Sequence, residues 1–399
     1  MTRFVPPAGA PLRVTQIFRA LGVVFSSDGS TEECLLSLAA HLKVRYVFGV
    51  SSGRAGLWLI LKSLHCIRPD RCVVALPAYT CFSVPAAIVR TGLMLHPVDI
   101  DPETLDFNFS QLEAVPSKRL LCILTSNLFG LVNDVPRIKQ IAYAKGAFLV
   151  DDAAQSLGAS RDGYFSGTLG DVGLYSLGRG KVLAAIEGGI IVTNSEEIAH
   201  AIRAQTESLP TSSFVHGAWL LAQMLAYTAF LHPRLYWVPN SLRFLKLGIT
   251  EFDPNFPAAR LSALSQALLP QLMSRLTEMN QIRRKNAAAL AQVLIGNPHF
   301  IVPRPASNCQ PTYTRFPLIA KHIATRQQAL SRLRTVGIGA SSFYPSAICD
   351  ITGIDQYMGV DKFHCVQAES LSRKLLTLPT HPLVRQLDLD RMAAILTGL

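Results

Sequence analysis

Val44-Arg-Tyr-Val-Phe-Gly-Val50 runs into Ser51-Ser52-Gly53 and then into Ala55-Gly-Leu-Trp-Leu-Ile-Leu-Lys-Ser-Leu64. The first part is rich in β-branched and aromatic residues, the second is a tight polar turn and the third favours helix, so the stretch reads as strand, turn and helix. The alternation recurs: residues 73–76 and then a helix near 83–90, Met94–Val98, Leu120–Leu124 and then a helix near 135–145, and residues 147–150. Repeated βα units imply an α/β fold, a mainly parallel sheet covered by helices. The texture changes near Pro257. Residues 260–294 read as one long helix bent at Pro270, followed by an extended run at 312–319, a helix near 326–336 and a closing helix near 389–396. These patterns predict a large domain over residues 1–255, with an apolar helical insertion at about 207–253, and a smaller C-terminal α+β domain over 256–399.

A chain of 399 residues can bury a large core, and 49% hydrophobic against 16% charged residues excludes a disordered chain. No internal repeat is visible. The eight cysteines are scattered without a Cys-x-x-Cys spacing, and no secretory signal opens the chain, which predicts buried thiols in a reducing cytosol. The net charge of +11 is spread along the chain rather than gathered in runs. That distribution argues against a nucleic-acid patch and suits an anionic small molecule such as a nucleotide diphosphate. The ten histidines are dispersed, with no His-Glu-x-x-His or comparable ligand set, so no metal centre is expected.

The run Phe214-Val-His-Gly-Ala-Trp-Leu-Leu-Ala-Gln-Met-Leu-Ala-Tyr-Thr-Ala-Phe-Leu231 is almost wholly apolar and is followed by His232-Pro-Arg-Leu-Tyr-Trp-Val-Pro239. It is slightly short for a membrane span and contains inner polar groups. The expectation is a buried or dimer-interface helix, with peripheral membrane contact through 214–239 as the alternative.

In parallel sheets ligands collect beyond the carboxyl ends of the strands. The residues placed there are Ser52-Gly53, Pro77-Ala-Tyr79-Thr80, Ser126-Asn127 and Asp151-Asp152. Ser52-Gly53-Arg54 opens a helix whose first N–H groups suit a phosphate, although a Ser-Gly turn is also an ordinary cap. Asp152 leaves a hydrophobic strand where a carboxylate could hold a protonated ring nitrogen, or cap the residues after it, and Asp151 could take either role. Lys181 follows in a loop, Leu177-Gly-Arg-Gly-Lys181, after another apolar strand. A lysine brought near a desolvated site can lose its proton and bond an aldehyde. Phosphate turn, acid and lysine occur in the order that pyridoxal phosphate chemistry requires.

These motifs resemble the nucleotide-sugar aminotransferases of the DegT family, pyridoxal phosphate enzymes of fold type I. The resemblance covers roughly residues 30–205 and, more loosely, 255 to the end. Ser52-Gly-Arg-Ala-Gly-Leu57 is similar to the family's phosphate turn. Asp152-Ala-Ala-Gln155 with Gly158, Gly167-Thr-Leu-Gly-Asp171, Ser176, Lys181, Glu187-Gly-Gly189 and Thr193-Asn194 fall on its other motifs. The resemblance implies that Asp152 pairs with the pyridine nitrogen and that Gln155 lies beside the ring. It implies too that Ser52, Gly53, Arg54 and Ser176 hold the phosphate, and that Lys181 bonds the aldehyde and shuttles protons. A homodimer with shared sites follows from it, with glutamate or glutamine as donor and a keto sugar, nucleotide-linked, as acceptor in glycan precursor synthesis. Lysine rather than histidine at 181 argues against the sugar dehydratases that branch from the family.

The chain departs from the pattern at several points. Arg54 stands where threonine or alanine is common, and Cys81 stands where an aromatic usually stacks on the ring, which leaves Tyr79 or Phe82 as substitutes. Asn127 replaces a frequent histidine. The Asn-Tyr-Arg segment lent by a partner subunit has only Asn255 and Arg260 as candidates, and in Ser342-Phe-Tyr-Pro345-Ser-Ala-Ile-Cys349 the Tyr-Pro survives without the following histidine. Two further readings therefore stand beside the first: the same chemistry on a cyclitol or other carbonyl acceptor, and a non-catalytic relative that binds membrane or protein.

Overall fold

The computed structural model describes residues 3–26, 31–242, 248, 250–359 and 365–399. Among them seven strands form the main sheet: β1 (Tyr46–Val50), β2 (Val73–Pro77), β3 (Met94–Val98), β4 (Leu120–Leu124), β5 (Phe148–Asp152) and two more. After β5 comes a small hairpin of β6 (Ser160–Arg161) and β7 (Tyr164–Phe165), and the sheet resumes with β8 (Val172–Ser176) and β9 (Gly189–Thr193). The spatial order is β1-β9-β8-β5-β4-β2-β3, parallel from β8 to β3, with β9 reversed between β8 and β1. The sequence expectation of a mainly parallel sheet holds. Central strands β4 and β5 are buried along their whole length, as strands covered on both faces must be.

Helix Gly53–Ile67 lies on one face of this sheet. It can lie close because Gly56 has no side chain: a Cβ there would come within 2.7 Å of the Leu174 Cδ1 on β8. Ser52 caps the helix by accepting the Ala55 N–H at 3.1 Å, and Asp134 caps the helix Val135–Ala144 in the same way through the Arg137 N–H.

The C-terminal part builds an antiparallel sheet from β10 (Phe300–Ile301), β12 (Phe316–Ala320) and β13 (Leu375–Leu378), in the order β10-β12-β13. Strand β11 (Cys309–Gln310) instead joins the β6–β7 hairpin. Residues from helices Leu276–Leu294, Ile323–Thr335 and Gln386–Thr397 share an apolar cluster with this antiparallel sheet.

The long helix expected over 260–294 is two helices, Ala263–Met273 and Leu276–Leu294. Pro270 sits inside the first without ending it. The chain breaks four residues later, at Ser274–Arg275, where the Ser274 N–H still bonds the Pro270 carbonyl at 3.0 Å. The apolar run forms the helix Phe214–Phe230, but of its residues only Leu220 and Met224 are buried, so the expected buried helix is largely exposed in this chain. Among the described residues no helix is long and apolar enough to cross a membrane.

Arg283, on helix Leu276–Leu294, is 1% exposed. Its guanidinium donates to the Asn280 Oδ1 (3.0 Å), the Gly9 carbonyl (3.2 Å) and the Val182 carbonyl (2.8 Å). Burial pulls its pKa down to about 10. One side chain thus ties a C-terminal helix to the amino-terminal segment and to the residue after Lys181. Arg283→Ala leaves three buried acceptors unpaired and opens a cavity, and is expected to cost about 3 kcal/mol or more, read as a lowered denaturation midpoint.

Candidate active site

The carboxyl ends of β4, β5 and β8 bring the acids, the amide and the serine together. Asp151 and Asp152 are consecutive, so their side chains leave the strand on opposite faces. Asp151 is fully buried and accepts from the Asn127 Nδ2 (2.8 Å), the Gly167 N–H (2.7 Å) and the Thr125 hydroxyl (3.2 Å). Both of its oxygens are thus occupied by donors of the chain itself. Asp171 ties the same segment to β5 by accepting the Leu149 N–H at 2.7 Å.

Asp152 is buried too, and its Oδ1 accepts the Ala154 N–H at 2.9 Å. The cap reading and the acid reading are therefore compatible, since one oxygen serves the turn. Burial pushes the Asp152 carboxyl up to about 6, while the Ala154 N–H and the positive charge of Lys181 pull it part of the way back. Gln155 spans the site. Its Oε1 accepts the Phe129 N–H at 3.1 Å and its Nε2 donates to the Tyr344 hydroxyl at 3.0 Å.

The helix start lies against β8. A Cβ on Gly53 would sit 3.0 Å from the Ser176 Cβ and 3.1 Å from its Oγ, so glycine keeps a narrow cradle between the helix N-terminus and the serine. The Ser52 hydroxyl takes the Ala55 N–H, and the first N–H groups of a helix have no intrahelical acceptor, which leaves those of Gly53 and Arg54 as donors. The Arg54 guanidinium turns elsewhere: it lies 5.2 Å from the Phe256 ring centroid and reaches the Asp253 carbonyl at 3.4 Å.

Lys181 is half-buried in the turn after β8, its N–H bonded to the Gly178 carbonyl at 3.3 Å. The next residue, Val182, is held by Arg283, and Glu187 accepts from the His216 Nε2 at 3.0 Å. A cavity of about 780 Å³ lies elsewhere, lined by Asp106, Arg137, Arg161 and Lys321 among others, and contains none of these residues.

Tyr79 is wholly buried: its hydroxyl accepts the Tyr344 N–H (3.2 Å) and faces the Tyr344 carbonyl (3.4 Å). Phe82 packs into the core of the main sheet, while Cys81 remains half-buried beside Ser83 and Thr250. Arg260 is bonded within its own chain to the Thr206 and Glu207 carbonyls, and Asn255 is exposed. Asn127, Tyr344 and Arg283 were not assigned a role by sequence. The first two lie in stretches that had been singled out, whereas Arg283 gave no signal.

A buried acid, a helix start open to anions and a lysine on the neighbouring loop are the parts that a phosphorylated pyridine aldehyde needs. The model of the DegT/DnrJ/EryC1/StrS aminotransferase family matches residues 25–231 and 241–397. The chain belongs to this family. A UDP-N-acetyl-3-dehydro-α-D-glucosamine 3-aminotransferase of Acidithiobacillus ferrooxidans is 26% identical over 395 residues, covering 97% of this chain and 94% of that protein. An L-glutamine:2-deoxy-scyllo-inosose aminotransferase of Streptoalloteichus tenebrarius is 27% identical over 256 residues, 64% of this chain and 54% of that protein. Among solved structures, Helicobacter pylori PseC, an aminotransferase involved in the biosynthesis of pseudoaminic acid, superposes with a TM-score of 0.79 over 99% of this chain and 98% of that one, at 16% identity. This DegT/DnrJ/EryC1/StrS aminotransferase has the type I fold, and its cofactor is pyridoxal phosphate.

The raised pKa of Asp152 fixes a sign. The folded chain takes up this proton near pH 6, before the unfolded aspartate does, so in cofactor-free enzyme the group's contribution to stability grows as pH falls from about 6 to about 4 and is lost as pH rises through about 6. Asp152→Asn is expected to raise the stability of cofactor-free enzyme above about pH 7, by up to about 3 kcal/mol for the two-unit shift, with the gap closing near pH 4. Thermal melts at stepped pH read this directly.

Proposed function

We propose that this enzyme moves an amino group from glutamate or glutamine to a nucleotide-linked keto sugar in glycan precursor synthesis. The observation that carries the reading is the Asp152 carboxyl, buried with one oxygen committed to Ala154 and under the positive charge of Lys181. Asp152 would hold a proton on the pyridine nitrogen. The Gly53 and Arg54 N–H groups and the Ser176 hydroxyl would hold the phosphate, and Gln155, fixed between Phe129 and Tyr344, would lie beside the ring. Pyridoxal phosphate supplies, when bound, the electron sink that lets an amino acid's α-proton leave. Lys181 Nζ would hold the aldehyde before the donor arrives and would then carry the proton from the donor's α-carbon. Its loop is kept in place by Arg283 through Val182.

The acceptor assignment rests on the relative that acts on a UDP-linked keto sugar along nearly the whole chain. A second reading, amination of a cyclitol, is favoured by the shorter match to a 2-deoxy-scyllo-inosose aminotransferase. A homodimer in the cytoplasm belongs to the same reading. Residues 1–255 then form the large domain and 256–399 the small one, with helix Ala263–Met273, packed on helices Val14–Phe25 and Thr31–Leu42, as the joint.

Glutamate added to the cofactor-loaded enzyme should bleach its visible absorption, and a UDP-linked keto sugar should restore it. Lys181→Ala should show neither change and should lose activity by about 10³-fold or more. Restoration by a cyclitol ketone and not by the sugar nucleotide would select the second reading, and a protein that takes up no cofactor would sink both.

A further inference from the structure

The cysteines are scattered in sequence, yet two of them meet in the fold. The Cys349 thiol points at the Cys365 sulfur from 3.1 Å, across 16 positions of chain. Both are free thiols, Cys365 buried and Cys349 half-buried. Disulfide sulfurs stand about 2 Å apart, so an approach of about 1 Å would join them.

The two backbones are held in place independently of the thiols. Ile348, beside Cys349, donates its N–H to the Ala78 carbonyl just past β2 at 2.7 Å. Cys365 precedes helix Val366–Lys374, whose Gln367 and Ala368 N–H groups reach the two oxygens of Asp99, just past β3, at 2.9 and 2.8 Å. The edge of the main sheet therefore brings the sulfurs together from two sides. Cys365 also shares an apolar cluster with Tyr79 and Tyr344, and Cys349 packs against it.

The surroundings give the two thiols different parts. The Cys349 thiol at its side and burial push the Cys365 pKa upward. Cys349 is the more accessible, so it is the sulfur that a small oxidant meets first. We propose that Cys349 and Cys365 form a redox modification site, which closes a reversible disulfide when the enzyme meets a peroxide. Cys349 Sγ attacks one peroxide oxygen, the O–O bond breaks, one water leaves and a sulfenic acid remains. Cys365 Sγ then attacks Cys349 Sγ, the S–O bond breaks, and the hydroxyl leaves with the Cys365 proton as a second water. In sum two thiols lose two electrons and two protons, and one peroxide becomes two waters. A dithiol reverses the step, as it does for redox-sensing disulfides in reducing compartments. The bond fastens the stretch that carries Tyr344 to the helix anchored on Asp99. The inference is independent of the amino acceptor.

The test treats full-length, cofactor-loaded, fully reduced enzyme with stoichiometric hydrogen peroxide, blocks the remaining thiols and maps its peptides by mass spectrometry without reduction. A peptide pair joined through Cys349 and Cys365, lighter by two hydrogens and separated again by dithiothreitol, is expected. Cys349→Ser and Cys365→Ser should each abolish it, whereas Cys66→Ser, which removes an exposed thiol elsewhere, should leave it intact. Because a cross-link narrows the unfolded ensemble, the oxidised wild type should melt about 3 °C higher than the reduced one, and Cys349→Ser should show no such rise. Should Cys365→Ser fail to fold, Cys349→Ser, at the half-buried position, decides alone. Oxidation of other thiols without the joined peptide, or pairing of Cys349 with a different cysteine, overturns the proposal. A joined peptide with no rise in melting temperature overturns the fastening.

Discussion

A carboxylate taken out of water must find hydrogen bonds or a counter-charge. Strand β5 ends by burying two of them side by side, and much of the architecture around it answers that demand. Asp151 is satisfied by three donors drawn from the end of β4, the loop behind it and the Gly167 turn. Asp152 has one backbone donor and the nearby Lys181, and keeps a raised pKa. The neighbours therefore differ in satisfaction: Asp151 has three donors, whereas Asp152 has a single backbone donor and the raised pKa.

That arrangement needs rigid surroundings, and they come from distant parts of the chain. Gln155 is fixed from two sides, by the backbone at Phe129 and by the Tyr344 hydroxyl. Tyr344 is in turn fixed by Tyr79, whose phenol bonds its backbone. The loop carrying Lys181 rests on Arg283. The residues nearest the chemistry are thus positioned through buried polar contacts rather than by apolar packing alone, which fixes orientation as well as distance.

The alternation of strands and helices was legible because period and composition change together at residues such as Val50, Ser52 and Ala55. The order of Ser52, Asp152 and Lys181 was legible because strand ends collect ligands. Other features depend on neighbours that no local pattern encodes. The break at Ser274–Arg275 lies four residues beyond Pro270, which itself fits inside a helix whose lost bond is tolerated. Arg283 looks like any polar residue on a helix, and only the approach of Gly9 and Val182 makes it a buried anchor. Tyr79 stands by position as a ring-stacking substitute, and the bond of its phenol to the Tyr344 backbone is a contact that no local pattern encodes. The apolar run at 214–230 gave a helix, but which of its faces is covered is a property of the whole molecule.

The amino-terminal segment shows how such long-range dependence bears on the order of assembly. Phe4 bonds Pro233, Val5 bonds Gly337 and Gly339, Gly9 meets Arg283 and Ala10 meets Tyr227. Its partners lie from 217 to more than 300 positions further along, so the segment settles only after distant parts of the chain are in place. Closing loops of that length comes late. Residues 4–10 therefore latch late in folding, and a chain lacking residues beyond about 330 would leave Val5 without its Gly337 and Gly339 partners.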